Sequence, residues 1–464
     1  MARAVLGEAR LPEFGVPKEQ PEVPAAVYRA RLSGFIGRFR ASGLDAVVVY
    51  ADREHAANIS YLTGFDPRFE EALLIVTPSR TPVLLAGPEN RGFAATARVD
   101  LSVVLYPPFG LMGQDRSKTR PLADLLREAG IAAGMKIGIT GWKYYGAAEA
   151  ASPESWSEAP SFIVDTVRTI AGASGRVTNA NALLMHSSSG MRAVNEIEQI
   201  AAFEFAACLT SESVKHVVRG VRPGMTEFEA AKLLAPSGLP LNCHTMLSAG
   251  PRASFGLGSP SHRAMERGDP FTTAFGIWGA LNCRAGWLVE DAGELPPAIR
   301  DYVSKLVAPY FAAVADWYET IGIGVTGGAL DALIKRHLGD PFFGLFLPAG
   351  HLIHLDEWLN TPIYPGSTER LQSGQAIQVD IIPATGSAYF TSNIEDGIAL
   401  LDEAGRAAFA ERYPDAWGRI EARRGFMADV IGIHLKPEVL PLCNIAAALP
   451  PFILAPDRIM QMRP

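Results

Sequence analysis

Gly350-His351, Asp380 and the pair Glu395-Asp396 put one imidazole and several carboxylates on short apolar segments of the C-terminal half. His351, Asp380 and Glu395 form a donor set that holds a single Zn, Fe or Mn ion with open positions, and the same groups also serve acid–base chemistry without a metal. His244, in LNCHTML on a segment read as a strand entering the pocket, and His354, three residues past His351, add imidazoles that titrate near neutral pH. Plainer readings stand beside these. His244 also reads as a hydrogen-bonded core residue, and Asp380 and Glu395 as structural partners of Arg284 or Arg252, since buried carboxylates need a partner. Asp356-Glu357 either lines a pocket or caps a turn.

The elements that must position these groups alternate between helix and strand. VYRARLSGFIGRFRASGL has helical apolar spacing ending at a glycine, and DAVVVYA, EALLIVTP and TPVLLAGP read as short buried strands. Residues 1–25 form a Pro-bearing arm, 26–187 a first α/β domain, and 188–464 a second, with the boundary in the polar run around MHSSSGMRAV. In the second domain the pattern predicts helices over 193–218, 225–235, 300–322 and 327–338, and strands around 241–249, 270–290, 376–383 and 386–400. From about 425 a Pro-rich, apolar extension reads as an ordered tail covering the pocket mouth or a dimer seam.

Composition narrows the class. The chain has 464 residues, 48% of them hydrophobic, enough for two cores. A formal charge of −7 with interspersed signs leaves no basic stripe for nucleic acid. Four cysteines without a CxxC pair, Cys208, Cys243, Cys283 and Cys443, argue against a disulfide framework or structural zinc. An N-terminus carrying acids and prolines, and the lack of any long apolar run, lead to the expectation of a cytoplasmic protein with neither signal peptide nor membrane span.

Six local patterns, in order, resemble the creatinase/aminopeptidase P/prolidase family over about residues 25 to 410. They are YLTGF at 61–65 with EALLIV, RAVNEIEQI, SAGPRAS with SPSHRAMERGD, GHLIHLDEW at 350–358, SGQAIQVDIIP at 373–383, and NIEDGIALLDEAG at 393–405. The resemblance implies an α/β (α+β) chain with a creatinase-like N-terminal domain and a pita-bread catalytic domain, usually in a homodimer. Peptidases of the family hold two divalent metals with two Asp, one His and two Glu. Carried over, those positions fall on Ala274, Ala285, His351, Asp380 and Glu395, so both Asp ligands are methyl groups here. Two neighbouring dications sharing a water need several anionic oxygens, so a dinuclear cage is not expected. The family's proton-shuttling His falls on Leu257, the arginine by which creatinase holds its substrate carboxylate has no counterpart in LDEWLNTPIY, and the glycines after the GH pair are Leu352 and His354.

This pattern of loss resembles creatinase, which works without metal. The resulting expectation is a creatinase-like hydrolase of a C–N bond in a small non-peptide, amine-bearing molecule, with no cofactor expected or, alternatively, one divalent metal on His351, Asp380 and Glu395. Its other catalytic candidates are His244 and His354, and its substrate-binding candidates are Glu357, Trp358 and, reaching across a dimer from the N-terminal domain, Phe69 and Glu71. The rivals are a metal-dependent Xaa-Pro peptidase or dipeptidase and a lyase like the dimethylsulfoniopropionate lyases on this scaffold.

Overall fold

The computed structural model describes residues 3–464, except the side chain of Phe255. The chain divides into two units, Val23–Ala193 and a second that joins the arm up to Glu22 with Val194–Pro464. Residues 188–193 therefore go with the first unit, where the buried Arg192 donates to Asn58 Oδ1 at 2.8 Å.

The arm opens with strand β1 (Arg3–Glu8). In the first unit β2 (Ala46–Ala51), β3 (Ala72–Val76), β4 (Val83–Ala86), β5 (Ser102–Leu105), β6 (Lys136–Thr140) and β7 (Arg176–Asn179) form one sheet in the order β5-β4-β3-β2-β6-β7. β2 is the run AVVVYA, buried at every position; apolar β-branched side chains on both faces suit a strand covered on both sides. The helices Ala25–Ala41 and Ser161–Ala171 accompany this sheet, and the second buries Ile163, Val164, Val167 and Ile170 at helical spacing.

In the second unit β8 (Met246–Ala249), β9 (Pro270–Ile277), β10 (Ala280–Trp287), β11 (His351–Leu352), β12 (Ala376–Asp380), β13 (Asn393–Leu400) and β14 (Val439–Pro441) make a seven-stranded sheet, ordered β11-β12-β13-β10-β9-β8 with β14 on β13. β9 and β10 are one hairpin closed by Trp278-Gly279, where Gly279 has φ +98° and a Cβ would press into the Phe203 ring. Phe203 belongs to the helix Ile197–Gly220, which packs across β9 and β10.

The C-terminal extension is part of this unit's framework. β14 joins the sheet, Phe452 bridges to Trp287, and β15 (Arg458–Arg463) pairs antiparallel with β1 of the arm, Arg3 opposite Arg463. The expected helix over 300–322 begins as a wide π-type turn, Val303–Val307, before the regular Ala308–Thr320. The strand expected over 386–400 starts only at Asn393, after a loop in which Phe390 has φ +57°. Among the described residues no helix is long and apolar enough to cross a membrane.

Candidate functional site

Direct cross-strand partners carry their side chains on the same face of a sheet. Met246 stands opposite Ala274, Ala274 opposite Cys283, Cys283 opposite Glu395, and Glu395 opposite Asp380, so these five form one row. His351 on β11 is opposite Gln378, two residues before Asp380, and joins the same face. Ala285, two residues past Cys283 and opposite Asn393, also points there. Both methyl groups thus stand where the sequence resemblance put acids.

His351 Nε2 lies 3.2 Å from Glu357 Oε1, 3.6 Å from Glu395 Oε1 and 3.9 Å from Asp380 Oδ2. None of the three contacts has good hydrogen-bond geometry at Nε2, and Asp380 Oδ1 is also buried without a partner. One donor atom from each of His351, Asp380 and Glu395 lies within 4.8 Å of the others, a spacing that suits a single cation. On the other side of the row a second cation would meet the methyl groups of Ala274 and Ala285 beside the neutral Cys283, Asn393 and Thr272, with no further carboxylate among these neighbours, so the residues do not fit a dinuclear centre.

The electrostatics match that crowding. Burial opposes a charge on His351, but the carboxylates of Glu357 and Glu395, with Asp380, overcome it and lift its pKa to about 10. Glu395 and Asp380 are each pushed above the usual carboxylate range, first by burial; their mutual repulsion adds to this for Glu395, and His351 pulls both back. The Trp358 ring stacks on His351 with centroids 4.1 Å apart and 18° between planes. Glu357 and Trp358 are half-buried while the trio is buried, so they form the lip of the cluster.

The other expected site residues make contacts of their own. His244 precedes β8 rather than riding on it; Pro240 closes off the run upstream, and the exposed ring turns its Nε2 to the Leu257 carbonyl at 2.8 Å. His354 is fully buried with its ring edge-on to Phe203 at 5.3 Å. In the first unit, Phe69 is 59% exposed and Glu71 accepts a 2.6 Å hydrogen bond from the Tyr50 hydroxyl. Arg284 does not pair with Glu395 or Asp380: it faces the other side of the sheet and holds Asp396, while Arg252 lies 3.3 Å from Glu227. Trp287 packs edge-on against Tyr302 and Phe390, an ordinary core role. An open groove of about 650 Å³ between the arm and the helix Pro414–Phe426 contains none of these groups.

Two residues on the site face were not singled out by sequence. Asn393 Nδ2 donates to Cys283 Sγ at 3.0 Å, and both side chains are buried. Counting back by two from Ala285 and Glu395 would have found them.

Residues 31–170 match the creatinase/prolidase N-terminal domain family. Over about 80% of its length the chain superimposes on prolidase structures. It has the creatinase/prolidase fold. The prolidase of Thermococcus sibiricus is 18% identical with a TM-score of 0.63, covering 81% of this chain and 95% of that one. The X-Pro aminopeptidase of Thermotoga maritima is 18% identical with a TM-score of 0.60, covering 80% and 95%. The dipeptidase PepE of Mycobacterium ulcerans is 17% identical at 0.60, covering 82% and 95%. In sequence, an uncharacterised peptidase, YqhT, of Bacillus subtilis is 25% identical over 252 residues, 52% of this chain and 69% of that protein.

Proposed function

We propose that this chain is a hydrolase of an amide-type C–N bond in a short peptide bearing a free amino group, with His351, Asp380 and Glu395 as its centre and at most one divalent cation among them. The observation that carries this reading is the convergence of the trio on a sheet face whose two remaining acid positions are Ala274 and Ala285. The peptide class draws support from the fold relatives, whose names are prolidase, dipeptidase and X-Pro aminopeptidase. They favour a peptide substrate over the small non-peptide molecule expected from sequence.

When bound, a divalent cation held by His351 Nε2, Asp380 and Glu395 supplies Lewis acidity toward a carbonyl and toward water. The side chains supply the rest. With no cation bound, Glu395, raised by burial, exchanges a proton near neutral pH, and its Oε1 faces the His351 ring, which the carboxylates hold positive; with a cation bound those protons are displaced and His351 is neutral. Trp358 holds the imidazole plane. Three carboxylates around one imidazole leave an anionic excess, which attracts an ammonium group or a metal ion.

A second reading, a metal-free hydrolase of a small non-peptide amine, rests on the same two alanines. A panel of Xaa-Pro and Xaa-Ala dipeptides and small non-peptide amides, followed by product mass, separates the two. The proposal expects free amino acids from dipeptides and no release in Glu395→Gln. Turnover of the non-peptide amides alone would install the second reading, and a product formed without addition of water would make the chain a lyase.

A further inference from the structure

Asn393 has an unused acceptor. Its side chain is 5% exposed, its Nδ2 is spent on Cys283 Sγ at 3.0 Å, and its Oδ1 is buried without a partner. The residue stands directly opposite Ala285, at a cross-strand separation of about 5 Å, and two residues before Glu395 on the same face. The methyl group of Ala285 offers Oδ1 no donor from directly across the strand pair. Apart from Glu395, the same-face neighbours of Asn393, namely Thr272, Cys283 and Ala285, are uncharged, so none of them offers Oδ1 a cation. A buried acceptor without a partner is unfavourable unless something arrives to fill it.

We propose that Asn393 Oδ1, beside the Ala285 methyl, is a neutral specificity subsite that accepts a hydrogen bond from an amide N–H of the substrate. It rests on the hydrolase reading and sharpens it: a secondary amide is preferred over the tertiary amide of an Xaa-Pro bond, which has no N–H to give. The residue is a specificity determinant and takes no part in bond cleavage.

Glycyl-alanine and glycyl-sarcosine are isomers with the same charges and differ in whether the amide nitrogen carries hydrogen, so they form the test pair. Wild-type protein is expected to favour glycyl-alanine by about tenfold or more in kcat/KM, as a site built around a hydrogen bond rejects the analogue lacking it. Asn393→Leu should bring the ratio to within about twofold of unity, with Asn393→Ala as a second variant and melting curves confirming that each folds. Dissociation constants for both dipeptides, measured by calorimetry, separate the two layers of the argument. Cleavage of both at equal rates, as an ordered water at Oδ1 would give, overturns the subsite and leaves the hydrolase. No cleavage, with tighter binding of glycyl-alanine that disappears in Asn393→Leu, upholds the subsite and removes the peptidase reading. Binding of neither removes both.

Discussion

Glu395 and Asp396 are neighbours on one strand with nearly the same chemistry, yet they face opposite sides of the sheet and live differently. Behind the sheet, Asp396 accepts from Arg284 Nη1 at 2.9 Å and Nη2 at 2.7 Å, from Asn282 Nδ2 at 2.8 Å and from the Ala447 N–H at 3.0 Å. Every oxygen is engaged, and the pair is sealed. In front, Glu395 shares a crowded space with Asp380, Glu357 and one imidazole, with polar atoms left over. A buried acid that is fully matched holds the structure; one left unmatched keeps capacity for a ligand or a proton.

The largest effect is expected behind the sheet. Arg284→Ala or Asp396→Ala strands one buried charge and should cost about 3–5 kcal/mol in denaturant unfolding, while Arg284→Met with Asp396→Leu should recover most of it. An equal cost from Glu395→Gln would erase the distinction between the faces. Instead, Glu395→Gln should lower turnover by about 10²-fold or more and leave stability unchanged or higher, because it removes a carboxylate that burial and Asp380 disfavour.

Unfolding midpoints of chelator-treated protein across pH sharpen the point. Burial raises the Glu395 pKa and the surrounding carboxylates raise that of His351, so each group binds its proton more tightly when folded. The Glu395 contribution is fully present below its ordinary value of 4.5 and fades as pH climbs through the raised one; that of His351 is present below 6.5 and fades toward about 10. Stability from this face should therefore fall between about pH 5 and 10, and less steeply in Glu395→Gln. A midpoint that rises over that range only in the wild type would contradict the crowding. The smallest effect is expected from Trp358→Ala, a several-fold loss of turnover from freeing the His351 ring, of the order of about 1 kcal/mol. An unchanged rate would make the stacking incidental.

Much of the fold was legible because local signals agreed: DAVVVYA read as a short buried strand, and the ordered motifs around His351, Asp380 and Glu395 grouped the trio as one donor set. Partners were harder to read. Sequence offered Arg284 or Arg252 to Asp380 and Glu395 because buried carboxylates need a partner, but which positions face each other is set by register, not composition. Strand parity holds part of the answer, since Arg284 is adjacent to Cys283 and Ala285 and must point away from them. His244 was placed on a strand that begins two residues later, a boundary set by how β8 meets β9. The unused acceptor of Asn393 depends on which bond its amide makes to Cys283, a contact between residues 110 apart in the chain.

The trio's face carries the oxygens for one cation and, with Ala274 and Ala285, lacks those for a second. Metal content per chain, measured by mass spectrometry after purification without chelator and titration with Mn or Zn, tests it most directly. At most one ion per chain is predicted, released by His351→Ala and raised toward two by Ala274→Asp with Ala285→Asp. Two ions bound tightly to the unaltered chain would contradict the account.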